Sequence, residues 1–401
     1  MDLRQIVNLN STENQQLCLD KIRVLVLLGG SELFGHERAT IEIFRTLSEI
    51  GLKVRFVISS RLGLENIAPY LDKLSLEWIQ VPFGYHWYYL QCAPTNLWGV
   101  LATNILIWRE VQRWQPTHLY TGNWLSLSYA APFILLSRLP FVYRAGDEIH
   151  SSKKVHQWFN RLIFHRVSFL VCNCKFLADK ISQKLPFLDP VVIYNSPPYR
   201  PEKSINSIEI PKLPQSATLI LYVGQISEHK GVPLLIKSMI KLILRGQNVV
   251  LWLAGNARWN PELIRQLRTE VKDAGLEERI CFLDYVEDTQ KLFELADIHV
   301  CPSIWDEPSP NVVFEAKQAG VPSVVFPVGG IPELIEHKVN GYICKQATVD
   351  ALVEGLTYFL EHPKERYQAA EAARASLQLQ FSQEKFQQQW AKIFIQSCKN
   401  K

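Results

Sequence analysis

Short strand-like runs alternate with helical patterns along most of the 401 residues of this chain. A first group of apolar runs lies at residues 21–28, 52–59, 117–122, 140–145, 167–173 and 190–195. A second group lies at residues 218–224, 249–255, 278–286, 298–303 and 322–327. The segments between these runs, 231–246 for example, carry apolar residues at helical spacing. Repeated strand–helix order of this kind predicts parallel sheets covered by helices.

Residues 196–216 separate the two groups of runs. This stretch contains five prolines and has little periodicity, which is typical of an exposed linker. We therefore predict an α/β chain with two Rossmann-like domains, residues 1–195 and 217–380, whose parallel sheets face each other across a cleft. Ligands of such sheets bind outside the carboxyl ends of the strands. The remaining segment, residues 381–401, carries an apolar stripe made of Phe386, Trp390, Ile393 and Phe394.

The composition is that of a globular chain, with 47% hydrophobic and 20% charged residues. The net charge of +4 admits anionic ligands, but no basic run or recognised motif indicates a nucleic-acid partner. The eight cysteines form no C-x-x-C pair, which favours a reduced, cytoplasmic location. The polar start of the chain predicts no signal peptide, and the most apolar window, 129–143, is too short and broken to span a membrane.

Two further segments have an unusual composition. Residues 83–98 contain six aromatic side chains, and the stretch from Lys153 to Lys184 carries seven basic residues. A partly buried loop and a solvated helix face are the ordinary interpretation of such segments. Peripheral contact with a membrane surface or a glycan is the alternative.

The sequence DEPSPNVVFEAKQAGVPSV, which begins at Asp306, predicts a short helix bracketed by proline and glycine. We expect Ser309 to be its N-cap, Pro310 to occupy the first helical position and Gly320 to lie just past its end. Free N–H groups in the first turn of a helix form an anion site. Here those groups belong to Ser309, Asn311 and Val312.

Two glutamates flank this anion site. Glu307 precedes the predicted helix and Glu315 lies inside it. A glutamate within a helix commonly pairs with a lysine four residues away, but positions 311 and 319 hold asparagine and alanine. An anion with an acceptor on either side suggests a phosphate that carries hydroxylated groups at both ends.

Lysine and glycine residues follow the predicted strands. Lys230 and Gly231 open a helix after the run 218–224, where a lysine is favourable if an anion occupies the same place. Without such an anion, Lys230 is an ordinary surface lysine. Glycines after the run 21–28 would let the backbone approach a ligand, and a glycine pair in 327–342 predicts another loop at the same cleft. The glycines after the run 21–28 are Gly29, Gly30 and Gly35.

Several catalytic motifs do not occur in the sequence. It has no D-x-D, no H-E-x-x-H, no G-x-S-x-G and no Walker lysine loop. Divalent-metal, serine-hydrolase and P-loop functions therefore lose their simplest support.

The E-x7-E spacing of Glu307 and Glu315, the G-x5-K-G run from Gly224 to Gly231, the PVGGIPELI loop and the closing aromatic helix resemble glycosyltransferase family 4. The members of this family are retaining enzymes of the GT-B fold. The resemblance is strong over residues 217–345 and loose over 20–195. It implies that the last helix, in 381–401, crosses back onto the first domain.

The resemblance also implies roles for individual residues. Lys230 would neutralise the departing nucleotide diphosphate, Glu307 would contact the donor sugar and Glu315 the ribose hydroxyls. Tyr285 and Val286 would lie near the base. The other donor-binding residues would be Gly30, Gly35, Gln225, Gly255, Ser309, Asn311 and Val312.

The sequence departs from the family pattern in three respects. Gln225 stands where the family usually has an arginine, so Lys230 and backbone amides would carry more of the phosphate charge. Prolines 308 and 310 remove two possible amide donors. Gly146 stands where many members have a histidine, so that Asp147 or Arg144 would take the acceptor-side role, or no residue would need to. Asp147 is our candidate catalytic residue on that side.

The sequence thus predicts a retaining transfer of a sugar from a nucleotide-diphosphate sugar to a glycan, lipid-linked or small-molecule acceptor. No metal ion or other cofactor is expected. Two other functions remain open: a GT-B-like protein that binds a nucleotide sugar without turning it over, and another GT-B enzyme such as a nucleotide-sugar epimerase.

Overall fold

The computed structural model describes residues 19–30, 33, 35–61, 64–83, 93–149, 154–197, 211–256, 260–286 and 288–397. The chain forms two compact units. The first consists of Met1–Tyr194 and Gln383–Lys401, and the second of Asn195–Ser382. Residues 198–210 of the predicted linker and residues 84–92 of the aromatic segment lie outside the described residues.

The first unit contains a seven-stranded sheet in the order β3-β2-β1-β4-β5-β6-β7. Every pair of neighbouring strands in this sheet is parallel. The strands are β1 (Arg23–Leu28), β2 (Lys53–Ser59), β3 (Glu77–Val81), β4 (His118–Thr121), β5 (Phe141–Ala145), β6 (Val167–Cys172) and β7 (Val191–Val192). The helices are α1 (Gly35–Glu49), α2 (Leu64–Lys73), α3 (Ala93–Trp114), α4 (Trp124–Leu136), α5 (Lys154–Phe164) and α6 (Lys175–Lys184).

The second unit contains a six-stranded parallel sheet in the order β10-β9-β8-β11-β12-β13. Its strands are β8 (Thr218–Val223), β9 (Val249–Ala254), β10 (Ile280–Asp284), β11 (Ile298–Cys301), β12 (Ser323–Val325) and β13 (Gly341–Ile343). Its helices are α7 (Val232–Leu244), α8 (Pro261–Asp273), α9 (Gln290–Leu295), α10 (Asn311–Ala319), α11 (Val349–Glu361) and α12 (Pro363–Gln380). A 3-10 turn spans Ile331–Leu334.

The prediction of two parallel-sheet α/β units is confirmed. Central strands such as β1 and β9 are apolar runs buried on both faces, as strands covered by helices on both sides must be. The sequence did not predict β3 and β13, which lie at sheet edges. The sequence of β3, EWIQV, is half-exposed and lacks the continuous apolar run that marks a central strand.

The final helix, α13 (Gln383–Ser397), belongs to the core of the first unit. Trp390 is fully buried there, and its ring lies 6.0 Å from that of Tyr120 and 6.3 Å from that of Phe394. The ring of Phe394 in turn lies 5.7 Å from that of Phe44 in α1. The predicted stripe of α13 thus completes the hydrophobic core on one side of the first sheet. Among the described residues, no helix is long and apolar enough to span a bilayer.

We expect Trp390→Ala to lower the free energy of unfolding of the first unit by about 3–5 kcal/mol, because a large buried ring is removed without replacement. Urea denaturation followed by circular dichroism measures this change. Gln389→Ala, at an exposed neighbouring position of α13, is the matched control. Equal stability of the two variants would show that α13 is not part of the core.

Candidate active site in the second unit

The candidate site lies at the carboxyl ends of β8 and β11, which are neighbours in the second sheet. From β8 the strand order runs one way through β9 to β10, and from β11 it runs the other way through β12 to β13. A crevice opens at such a switch point because the connections leave in opposite directions. The loop after β8 carries Lys230 and the loop after β11 carries Glu307.

These two loops are in direct contact. The Ile304 N–H donates to the His229 carbonyl at 2.9 Å. Gly231, the N-cap of α7, has a φ of 70°, a conformation that favours glycine. A Cβ atom at Gly231 would lie 1.8 Å from the Pro302 carbonyl oxygen. Glycine is therefore required here both for the backbone conformation and for the approach of the second loop.

The contact between the loops brings Lys230 and Glu307 together. The Lys230 Nζ lies 2.6 Å from the Glu307 Oε1, and Ser303 Oγ donates to Oε2 at 2.7 Å. The Lys230 side chain is 32% exposed and that of Glu307 19% exposed, so the pair is accessible to a ligand. The Glu307 charge acts on its surroundings: burial and then this carboxylate raise the pKa of the Cys301 thiol to about 12. The site thus holds a partly exposed lysine ammonium group paired with a carboxylate that Ser303 also contacts.

The predicted glycine loop lies against Glu307. The Gly330 N–H donates to the Glu307 carbonyl at 3.0 Å. A Cβ atom at Gly329 would lie 2.4 Å from the same carbonyl oxygen, and the φ of Gly329 is 58°. The loop after β12 therefore fixes the backbone that presents the Glu307 carboxylate.

The predicted N-cap of the short helix is wrong. Helix α10 begins at Asn311 and its N-cap is Pro310, which has an extended backbone and makes no side-chain cap. The Ser309 Oγ is buried and has no hydrogen-bond partner among the described residues. Pro310 has a φ of −69° but a ψ of 123°, so its backbone is extended and the first helical residue is Asn311, one residue later than predicted. Gly320 ends the helix as expected, with a φ of 72°.

Asn195 reaches the start of α10, which the sequence did not predict. Its Nδ2 donates to the Asn311 Oδ1 at 2.8 Å and approaches the Ser309 carbonyl at 3.3 Å. These bonds hold the first turn that contains Asn311 and Val312. The sequence gives no local signal for the contact, because Asn195 and Asn311 are 116 residues apart.

Glu315 has a partner that the spacing argument could not find. Its Oε2 accepts a hydrogen bond from Thr289 Oγ1 at 2.9 Å. The absence of a lysine four residues away was therefore no evidence that Glu315 lacks a structural role. Thr289 immediately precedes α9, and its hydroxyl group lies where a ligand hydroxyl could bind Glu315.

The remaining predicted donor-binding residues of this unit lie around the same sheet edge. Gln225 is exposed, and its carbonyl accepts from the Tyr222 hydroxyl at 2.7 Å. Tyr285, after β10, is 62% exposed, and Val286 is half-buried. Gly255 has a structural function of its own, since a Cβ atom there would lie 1.7 Å from the Gly224 carbonyl oxygen.

Gly30, Gly35 and Asp147 belong to the first unit. A Cβ atom at Gly30 would lie 2.2 Å from the Oε1 of Glu37, which is buried at the start of α1, where Gly35 is the first residue. Asp147 is exposed after β5. The functional roles of these residues stay predictions. Among the described residues, no group of three or more histidine, cysteine, aspartate or glutamate side chains is arranged to hold a metal ion.

The sequence interpretation missed His36 of α1, which lies close to Gly122 after β4 and to Gly146 after β5. A Cβ atom at Gly146 would lie 2.9 Å from the His36 Nδ1, and one at Gly122 would lie 2.8 Å from its Cε1. Burial, and then the Arg144 charge, lower the pKa of His36 to about 3, so the ring is neutral at pH 7. Gly146 therefore leaves room for an imidazole that comes from α1. The sequence shows a histidine at this position, but the glycines close to it follow β4 and β5, and only the fold brings them to His36.

We expect Gly231→Ala to destabilise the second unit by several kcal/mol, because both φ and the Pro302 carbonyl exclude a side chain. Gly275→Ala is the matched control, since Gly275 has a φ of 66° and, its chain neighbours aside, no atom of the described residues lies within 4 Å of a Cβ built there. The control should cost only about 1–2 kcal/mol. Urea denaturation of both variants measures the difference, and equal losses would contradict the loop contact.

Residues 204–376 match the family model of Glycosyl transferases group 1. The chain is 36% identical over 140 residues to the uncharacterized glycosyltransferase MJ1607 of Methanocaldococcus jannaschii, which covers 34% of each chain. It is 29% identical over 181 residues to the amylovoran biosynthesis glycosyltransferase AmsK of Erwinia amylovora, which covers 43% of this chain and 44% of AmsK. The chain therefore spans about a third to a half of the length of these relatives.

The fold is shared with HepE of Anabaena, a structure solved in complex with UDP. The TM-score is 0.74 at 20% sequence identity, over 92% of this chain and 99% of HepE. The predicted fold class is confirmed by this likeness, which concerns the fold alone. Two parallel-sheet units of this kind make the GT-B fold, and residues 204–376 carry the sequence pattern of the Glycosyl transferases group 1 family.

Proposed function

We propose that this protein is a retaining glycosyltransferase of family 4 that transfers a sugar from a nucleotide-diphosphate sugar to an acceptor hydroxyl. The observation that carries the proposal is the Lys230–Glu307 pair at the β8/β11 switch point. It lies inside the segment that matches the family model. Relatives named as glycosyltransferases support the same activity.

The proposed chemistry separates charge at the donor. Breaking the bond between the anomeric carbon and the phosphate oxygen builds positive charge on the sugar and negative charge on the nucleoside diphosphate. The acceptor oxygen forms the new bond on the same face, and its proton passes to the leaving phosphate. Lys230 stabilises the developing phosphate charge. One preorganised group of this kind contributes about 3–4 kcal/mol to the barrier reduction.

Glu307 and Glu315 have different proposed tasks. When a diphosphate engages Lys230, the Glu307 carboxylate becomes available to accept hydrogen bonds from sugar hydroxyls, while Ser303 keeps its other oxygen in place. Glu315 exchanges its bond from Thr289 for bonds from the ribose hydroxyls. The amides of Asn311 and Val312 at the start of α10 add to the phosphate site. The UDP bound by HepE supports a uridine or similar nucleotide donor.

The acceptor is proposed to be a glycan, a lipid-linked sugar or a small molecule. Amylovoran biosynthesis by the relative AmsK supports a function in polysaccharide synthesis. We place the reaction in the cytoplasm, with peripheral contact at the inner face of the membrane for lipid-linked acceptors. No disulfide joins any of the five described cysteines, in accord with a reducing compartment.

Incubation with a panel of nucleotide sugars, with and without sugar acceptors, tests the proposal. We expect release of nucleoside diphosphate together with a glycosylated product whose anomeric configuration, measured by NMR, equals that of the donor. Binding without release would favour a nucleotide-sugar-binding protein. Conversion of the donor into its epimer without transfer would favour an epimerase, and an inverted product would contradict retention.

We expect Lys230→Ala and Glu307→Ala each to lower kcat by at least about 100-fold, because each removes a group that acts on the transition state. Lys345→Ala is the matched control, since Lys345 pairs with Glu354 at 2.9 Å on an exposed surface. Thermal unfolding should confirm that the variants remain folded. Folded Lys230 and Glu307 variants with wild-type rates would refute the assignment.

We also propose that transfer needs no divalent metal, because Lys230 and the amides of α10 supply the positive charge. Gln225, in place of an arginine, is the feature that could create a need for a cation. The rate should therefore be unchanged after exhaustive treatment with EDTA. Loss of activity that Mg²⁺ or Mn²⁺ restores would show that Lys230 and the amides are insufficient.

A further inference from the structure

Helix α3 presents a continuous apolar face on the surface of the first unit. Five large side chains on this face are each 45–64% exposed. They lie at positions i, i+1, i+4, i+8 and i+11 of the helix, within a sector of about 100° at 100° per residue. They are Leu97, Trp98, Leu101, Ile105 and Trp108, called here the α3 stripe. Their span along the axis is about 16 Å at ~1.5 Å per residue.

Other side chains of α3, on the flank of the stripe and on the opposite face, fix the helix to the first unit. The Asn104 Nδ2 donates to the Tyr129 carbonyl at 2.8 Å, and its Oδ1 accepts from the Phe133 N–H at 2.7 Å, on either side of Pro132 in α4. At the end of α3, the Trp114 carbonyl accepts from Arg23 at 2.8 Å. These contacts, together with the buried side chains of Thr103 and Ile107, hold the helix in one orientation. The α3 stripe is therefore presented by a rigid element.

The exposed charges of α3 are all positive. Arg109 and Arg113 are exposed beside the stripe, whereas the single acid of the helix, Glu110, is buried and paired with Arg55. Tryptophan and leucine on one side of a helix with arginine beside them are typical of helices that lie in the interface of a bilayer. Tryptophan rings favour the headgroup level, and arginines are attracted to anionic lipids.

We propose that the α3 stripe docks on an anionic lipid surface, with Trp98 and Trp108 inserted at headgroup level and Arg109 and Arg113 contacting lipid phosphates. The positive charge of the exposed Arg109 and Arg113 favours an anionic lipid surface as the partner. The inference rests on α3 alone and is independent of the proposed sugar transfer, because its test contains no sugar. It assigns the contact to α3, part of which lies in the aromatic segment 83–98, and does not involve the basic stretch after Lys153.

Co-sedimentation of the full chain with vesicles tests the inference. We expect binding to phosphatidylcholine vesicles that contain phosphatidylglycerol and much weaker binding to phosphatidylcholine alone. The double variant Trp98→Ser with Trp108→Ser should bind the anionic vesicles at least about tenfold more weakly. Arg109→Gln with Arg113→Gln should lose a similar factor on anionic vesicles only. Leu244→Ser with Leu379→Ser is the matched control, since both leucines are exposed helix residues of the second unit.

Three outcomes would overturn the inference. The first is a wild-type chain that does not bind anionic vesicles, and the second is a tryptophan variant that is folded and binds as the wild type does. The third is a concentration-dependent dimer, seen by sedimentation velocity, that the tryptophan variant abolishes; it would show that the stripe contacts a second copy of the chain. Equal thermal unfolding of all variants keeps the comparison valid, and the arginine variant tests the charge contribution separately.

Discussion

The close approach of two loops at Gly231 and Pro302 is the constraint on which the candidate site depends. The Pro302 carbonyl occupies the space that a side chain at Gly231 would need. Gly231 is also the N-cap of α7, so the same residue ends the first loop and starts the helix. Because the loops meet there, Lys230 and Glu307 face each other at 2.6 Å although they are 77 residues apart. The Gly329 and Gly330 loop then supports Glu307 from the other side.

The Lys230–Glu307 pair is better explained by exchange than by stability. An ion pair that is partly exposed contributes little to folding, because solvent screens it and both side chains lose freedom. Its value in the proposed function is that each member has a second partner of the right chemistry. A diphosphate can replace the carboxylate at Lys230, and sugar hydroxyls can replace the lysine at Glu307. Ser303 keeps the Glu307 carboxylate oriented during such an exchange.

The sequence correctly predicted the elements that depend on local pattern. It did not predict features that depend on contacts between residues far apart in the chain. The apolar runs of the central strands and the glycine end of α10 were found because burial and backbone conformation leave a local signal. The edge strand β3 was missed because its half-exposed sequence lacks that signal. The hydrogen-bond partners of Glu315 and Asn311 are Thr289 and Asn195, respectively, and only the fold brings these distant residues together. His36 was passed over for the same reason, since its surroundings come from the ends of β4 and β5.

The binding of free nucleoside diphosphates to wild-type, Lys230→Met and Glu307→Gln proteins is the most direct measurement of the central claim. Calorimetric titration with UDP, GDP and ADP identifies the preferred base and gives Kd for each protein. If Lys230 exchanges Glu307 for a diphosphate, Lys230→Met weakens binding and Glu307→Gln tightens it, because the competing carboxylate charge is gone. Weaker diphosphate binding by a folded Glu307→Gln protein, or unchanged binding by Lys230→Met, would contradict the account.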